Sequence, residues 1–337
     1  MPVDSNALSL VDFAKMANDP VATAITQSML WNGSVMPYIP TIPRIAQQIK
    51  YVRYRETPVP NWIKLNELPV GVKTNVEQRQ ETAYLLRDYI DVDTMLEKDV
   101  NAIGSPRANK LAIYLTGFAY DFNDKFINNS PLSGDSDCFY GLRYRLDNAA
   151  DFGLESELLI NAGALDVSPS GATVANGNRL VEYMQTALDY LGRRQGDNVY
   201  IMTNDIMLRR LEAVVRTMGT SGGFRITDDQ FGRSILQYRN ATFIDMGRKG
   251  SDQTTRIITA TEAADGTAGA SVHTSMYFAV FEQGRLWGWE NTRFPDAIED
   301  LGVMPDGIFY RYLSNWQFGL ITEHSRSVAR IYGIKVA

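Results

Sequence analysis

The chain has 337 residues, 45% hydrophobic and 21% charged, which is apolar material for about two domains of core. One cysteine, Cys138, excludes an intramolecular disulfide, and two histidines, His273 and His324, leave little for imidazole catalysis or zinc ligation. Thirty-three Lys and Arg against 39 Asp and Glu give a net charge of -6, the wrong sign for gripping nucleic acid through a basic face. There is no run of about 18 uncharged apolar residues, and Met1-Pro2-Val3-Asp4 lacks the cationic start of a signal peptide. Neither membrane insertion nor export is expected, and the cytosol is the default place of synthesis.

In chain order, a short amphipathic stretch (Leu8, Val11, Phe13, Met16) ends near Asn18-Asp19-Pro20, and a second runs from Val21 to Trp31 before Asn32-Gly33. Each is too short to be stable alone in water. Pro37, Pro40 and Pro43 then keep the chain extended and bar it from a helix or a central strand. Two readings stand side by side: an arm that packs on something else, or a helical pair docked on its own core.

Alternation of β-branched and aromatic residues predicts a strand over Ile49–Arg55, with Val76–Leu86 as its returning partner. Between them, Pro58, Pro60, Pro69 and Gly71 surround one apolar cluster, Trp62, Ile63 and Leu65. A structureless loop of about twenty residues inside a compact domain argues against compactness unless the loop works elsewhere. A projecting two-stranded ribbon is expected, and such ribbons are marginal in water without a partner surface.

From Pro106 to Ile127, Leu111, Leu115, Phe118, Phe122 and Phe126 mark the stripe of a long amphipathic helix, with Ser105 as N-cap and Pro106 in its first turn. It stops at Asn128-Asn129-Ser130-Pro131. Further helices are expected over Asn178–Arg194, with Gly196 beyond its end, and after the capping pair Asn204-Asp205, ending at Gly219. Strands are expected at Val199–Met202, Phe224–Thr227 and Ala241–Asp245, making an α/β layer. After Gly250 the chain reads as nearly all β: 256–260, 275–281, 286–289, 309–313, 319–323 and 327–336.

The sharpest enzymatic string is Gly219-Thr220-Ser221-Gly222-Gly223, which satisfies G-x-S-x-G. A nucleophile elbow joins a strand to a helix, whereas this string follows a helix and precedes a strand. No histidine precedes Ser221 as a trypsin-like order requires. A glycine-rich turn is the simpler reading, with serine hydrolysis through Ser221 as its rival. His324 reads as a hydrogen-bonded structural residue and His273 as an exposed turn residue. Asp135 and Asp137 lack the distal glutamate of a calcium loop. No Walker A, Rossmann, CxxC or HExxH string is present. Trp287-Gly-Trp289 and Tyr310-Arg-Tyr312 suit packed strands as well as base-stacking platforms. No catalytic residue, metal site or cofactor is therefore assigned.

The order of elements resembles the HK97-fold major capsid proteins of tailed bacteriophages. The resemblance rests on Lys50–Asn75 as an extended E-loop, Pro106–Asn129 as a spine helix, Ser130-Pro-Leu-Ser followed by Tyr140-Gly-Leu142, and the ending Glu323–Ile334. It implies an α+β chain divided as N-terminal arm (1–36), peripheral domain (37–49), E-loop (50–75), peripheral domain with spine helix (76–148), axial domain (149–250), β-rich peripheral domain (251–322) and axial C-terminal strand (323–337). It implies self-assembly through pentamers and hexamers into an icosahedral virion shell around double-stranded DNA, built in the host cytoplasm. Scaffolding and portal functions would come from separate proteins, a decoration protein could join them, and contact with packaged DNA would be weak and non-specific. Trp31, Trp62, Ile63, Lys64 and Leu65 are the candidate inter-subunit contacts. Nothing in the sequence positions Lys64 for the covalent crosslink of the family's founding member. An encapsulin-type shell shares the fold and is the nearest rival. A carbohydrate- or peptide-binding module would account for the β-rich end but not for the arm and ribbon.

Overall fold

The computed structural model describes residues 35–54, 61–68, 71, 76–98, 106–131, 137–192, 198–218, 223–228, 234–250, 253–269, 271–291 and 298–337. The two N-terminal amphipathic stretches, Trp31, Ser105, Asp135 and Ser221 lie outside them.

A seven-stranded sheet has the order β5 (Leu159–Asp166), β14 (Val328–Lys335), β10 (His273–Val280), β6 (Val199–Thr203), β9 (Ala241–Asp245), β8 (Ser234–Tyr238) and β7 (Phe224–Asp228). Helices α5 (Val174–Tyr190) and α6 (Asp205–Met218) pack beside it and against each other. Every residue of β10 is buried, as expected of a central strand covered on both faces. Thr173 caps α5 through the Asn176 amide at 3.3 Å, and Asn204 caps α6 through the Met207 amide at 2.8 Å.

A five-stranded sheet is organised around β13 (Phe309–Thr322). β4 (Tyr84–Asp93) runs antiparallel along one side of it; β12 (Ile298–Val303) and β11 (Leu286–Glu290) share the other, and β1 (Thr41–Pro43) extends β11 in parallel. Pro43 sits in an edge strand, where its missing N–H is tolerated. Trp289 is wholly buried opposite Gly319, where an added Cβ would collide with the indole. The Trp-Gly-Trp alternation is therefore strand packing. The 23-residue helix α2 (Pro106–Asn128) lies along this sheet after the short α1 (Thr94–Lys98). Leu111 and Leu115 meet Ile90, while Phe118 and Phe122 join Trp316, Phe318 and Phe139 in one aromatic cluster. Small helices α3 (Leu142–Asp147) and α4 (Ala149–Phe152) follow.

The third sheet is the expected ribbon, β2 (Gln48–Tyr54) antiparallel to β3 (Val76–Thr82). Its returning strand is shorter than the sequence pattern predicts, because the chain turns at Ala83 into β4. The buried Ala83 donates its amide to the Gln47 carbonyl at 2.7 Å and accepts from the Gln317 side chain at 3.3 Å.

Other expectations need correction. Residues 256–260 form no strand beyond a bridge at Arg256, because side chains take the carbonyls a ladder would use: Asn128 donates to Ile257 O at 2.8 Å and Asn204 to Ile258 O at 2.9 Å. The strands expected at 309–313 and 319–323 are one continuous β13, paired by β4 from Phe309 to Phe318 and by β11 from Phe318 to Thr322. Helix α5 starts at its Thr173 cap, not near Asn178, and ends at Tyr190, short of Arg194, with Gly192 at φ +59° following it; Gly196 lies outside the described residues. Strand β5 goes unforeseen because Gly163 and Ala164, both at positive φ, break its alternation. Apart from these corrections, the strands after Gly250 belong to two sheets: β10 and β14 to the seven-stranded one, β11, β12 and β13 to the five-stranded one.

Candidate assembly surface

Alternation along β2 turns Ile49, Tyr51 and Arg53 inward, where all three are buried, and leaves Lys50 and Val52 exposed. Ile49 and Tyr51 rest with Ala83 on Trp287, Trp289 and Ile321 of the five-stranded sheet. The lower part of the ribbon is thus an ordinary half-buried hairpin, with Glu77, Arg79 and Glu81 of β3 on the same inner side.

Beyond the paired strands the chemistry changes. Lys64 to Glu67 form a tight turn: the Glu67 amide donates to Lys64 O at 3.1 Å and the Lys64 amide to the Glu67 carboxylate at 3.1 Å. Asn66 takes the positive φ of 70° that the turn requires, a conformation asparagine tolerates. This turn displays apolar side chains to solvent. Trp62 is fully exposed, Leu65 and Leu68 are 94% and 88% exposed, and Ile63 is 47% exposed. Lys64 is exposed beside them. Four of the five predicted contact residues therefore lie together on the loop. A Trp side chain offers roughly 200 Å². At about 25 cal/mol per Å², covering Trp62 on a partner would contribute about 5 kcal/mol before association costs.

A buried charge cluster lies beneath the ribbon's inner face, from Glu81 near its base to Arg53 near its outer end, and the sequence pattern alone did not single it out. Arg145 of α3 has no exposed surface; it pairs with Glu81 of β3 at 2.7 Å and donates to Thr322 Oγ1 at 3.2 Å, Leu320 O at 3.1 Å and Tyr140 O at 2.9 Å. Tyr51 donates to Thr322 O at 3.3 Å; burial, reinforced by the Glu81 charge, raises its phenol above the ordinary value. Burial lowers the basicity of Arg53, which remains protonated. The available signal was the alternation itself, which puts Arg53 on the same side as Ile49 and Tyr51. A second exposed apolar group, Met95, Leu96, Val303 and Ile308, lies where β4, β12 and β13 end.

Of the chemical candidates, His324 is tied into its turn, accepting the Arg326 amide on Nδ1 at 3.0 Å. His273 is buried, contrary to expectation, because it opens β10 opposite Lys335 and bridges Glu262; its Nδ1 lies 3.1 Å from Ser271 Oγ. Burial pushes the Cys138 thiol up to about 11, so it carries little thiolate at neutral pH. Asp137 is exposed. Helix α6 precedes the G-x-S-x-G string, the string's last residue Gly223 has φ +90°, and strand β7 follows it, which is the helix-to-strand order. Among the described residues there is no group of three or more His, Cys, Asp or Glu side chains able to hold a metal, and no helix long and apolar enough to cross a membrane.

No protein-family model and no curated protein matches the sequence. Solved structures do. An encapsulin, the holo-SrpI complex of Synechococcus elongatus PCC 7942, aligns over 98% of this chain and 97% of its own with TM-score 0.60 at 13% identity. The capsid of a native GTA particle aligns over 90% of both chains with TM-score 0.56 at 13% identity. A structure of Microbacterium phage Oxtober96 aligns over 90% of this chain and 91% of its own with TM-score 0.53 at 10% identity. These neighbours carry the HK97 fold, and at such identities the likeness establishes the fold: this α+β chain has the HK97 fold.

Proposed function

We propose that this HK97-fold chain is the major capsid protein of a tailed-bacteriophage-like particle, assembling through pentamers and hexamers into an icosahedral shell around double-stranded DNA. The observation that carries the reading is the fully exposed Trp62, with Leu65 and Leu68, on a ribbon outside the chain's own core. Large apolar side chains gathered on a projecting loop gain nothing from folding and much from a neighbour. In this reading the ribbon is the E-loop, α2 the spine helix, Lys64 a flanking contact without a crosslinking function, and Trp31 a contact made by the arm. Scaffolding and portal proteins are separate chains, and the shell confines DNA without tight binding, in keeping with its net charge of -6. The chain is structural, so Ser221 takes no label from a fluorophosphonate probe.

The test is electron microscopy of the expressed full chain with light scattering on the same sample. Closed shells or five- and six-membered rings support the proposal. A monomer that stays monomeric at all concentrations and in the presence of its particle's other proteins sinks it. Trp62→Ala is expected to abolish particles while leaving the subunit folded. Because like-charged copies repel over a Debye length of about 10 Å at 0.1 M salt, assembly should improve as salt rises.

A second reading, an encapsulin-type compartment, is favoured by the alignment of the SrpI encapsulin over 98% of the chain. Particle contents separate the two: nuclease-protected double-stranded DNA fits the capsid, a co-purifying enzyme the compartment.

A further inference from the structure

The ribbon is held to the body by arginines as well as by apolar packing. Arg53, on the inner face of β2, is buried although it belongs to a two-stranded ribbon. Its Nε donates to Glu323 O at 2.8 Å, its Nη2 to Thr322 O, and its Nη1 to Phe152 O and Gly153 O, both at 2.7 Å. All four acceptors are main-chain carbonyls. They come from two separate places, the end of β13 and the end of α4, and a rigid planar guanidinium bridging them fixes distance and direction together. Arg79 of β3 reaches the same corner: its Nη1 donates to Asp151 O, while its Nη2 is held by Glu77 at 2.7 Å.

The two arginines converge on Gly153. This residue has φ +60°, which disfavours any side chain, and a Cβ there would lie 2.5 Å from Arg53 Nη1 and 2.8 Å from Arg79 Nη2. In the ribbon's register Tyr51 faces Arg79 and Arg53 faces Glu77, so the arginines are diagonal neighbours on one face. Among the described residues only the pair Tyr54 and Val76 lies further out in the ladder. The fastening is thus near the outer end of the described ladder and not at its foot.

We propose that Arg53 and Arg79, seated on Gly153, are positioning residues that set the angle at which the ribbon leaves the body, and so where Trp62 meets a neighbouring copy. The angle is a property of the single chain; its consequence for a neighbour rests on the shell reading above. A ribbon held only by Ile49 and Tyr51 could rock about its base. With the arginine seat in place, the paired strands are fixed against the body as far out as Tyr54 and Val76.

The test uses the full chain, unassembled in low-salt buffer, with Cys138→Ser and spin labels at Val76→Cys and Glu212→Cys, both exposed positions. Pulsed dipolar spectroscopy on this parent should give one narrow distance. Replacing Arg53 and Arg79 with Met should broaden that distribution roughly twofold, since the seat goes while the apolar contacts stay. Arg53→Lys should not restore it, because one ammonium cannot span carbonyls from two segments. Gly153→Ala keeps both arginines and is expected to shift the mean distance; it decides the matter if the double variant fails to fold. A distribution unchanged in width in the double variant, or unchanged in mean in Gly153→Ala, overturns the proposal. In particles, the same variants should give mixed diameters where the parent gives one. A parent that forms no particles defeats the shell reading, while the spin-label distances still decide the seat.

Discussion

Strand β10 and the ribbon are both β structure with aromatic and β-branched residues, yet they have opposite relations to solvent. In β10 every side chain is buried, because strands flank it on both sides and elements cover both faces. In the ribbon only the inward residues are buried, and past the ladder even Trp62 is in water. Apolar residues in the first region stabilise the fold; those at the loop do not, and their energy is released only on contact with another surface. The comparison predicts that core substitutions act on stability while loop substitutions act on assembly.

The strongest test of the core side is Phe126→Ala. Phe126 is wholly buried against Phe122 and Phe281, with ring centroids 6.1 and 6.2 Å away, so about 3–5 kcal/mol of stability should be lost in chemical denaturation of the full chain. A loss under ~1 kcal/mol would break the comparison. At the junction of the two regions, Arg145→Ala strands Glu81 without its partner and should cost about 3 kcal/mol, part of which Arg145→Met with Glu81→Gln should recover. At the surface of the body, Thr173→Ala removes the α5 cap and is expected to cost about 1 kcal/mol.

Acid tests a smaller contribution. The Lys335 ammonium at 2.7 Å, then Ser168, hold the Asp166 carboxyl down at about 2, below its ordinary 3.8. A depressed folded value means stability present above the unfolded value and lost as pH falls from 3.8 through about 2. The pair is partly exposed, so solvent screening limits the effect to about 1 kcal/mol, and Asp166→Asn should flatten this part of the acid limb. The smallest effect on stability belongs to the loop: Leu65→Ser should change it by less than about 0.5 kcal/mol while lowering particle yield. Equal losses of stability in Leu65→Ser and Phe126→Ala would end the distinction.

The sequence was legible where one local signal ran long enough. The four-and-three spacing of Leu111, Leu115, Phe118, Phe122 and Phe126 marks α2 nearly to the residue, and the alternation at 49–55 marks β2. The isolation of Trp62, Ile63 and Leu65 among prolines marks the exposed loop. It was misleading where a distant group decided the outcome. Ile257 and Ile258 have strand propensity, but Asn128 and Asn204 take their carbonyls. His273 sits after a Gly- and Ala-rich turn, yet pairing with Lys335 buries it.

The amino-acid sequence alone determined the elements with strong periodicity, the cap at Asn204, the start of α2 at Pro106 and the presence of a ribbon with an apolar loop. These are properties of neighbours along the chain, where side-chain spacing and backbone preference act over a few residues. Tertiary structure alone decided that β13 is one strand, that β10 joins the seven-stranded sheet, and that Arg53, Arg79 and Arg145 anchor the ribbon. Arg145 meets Thr322 across 177 residues and Arg53 meets Glu323 across 270. Hydrogen bonds of that range depend on where folding brings two segments together, and no local pattern records it.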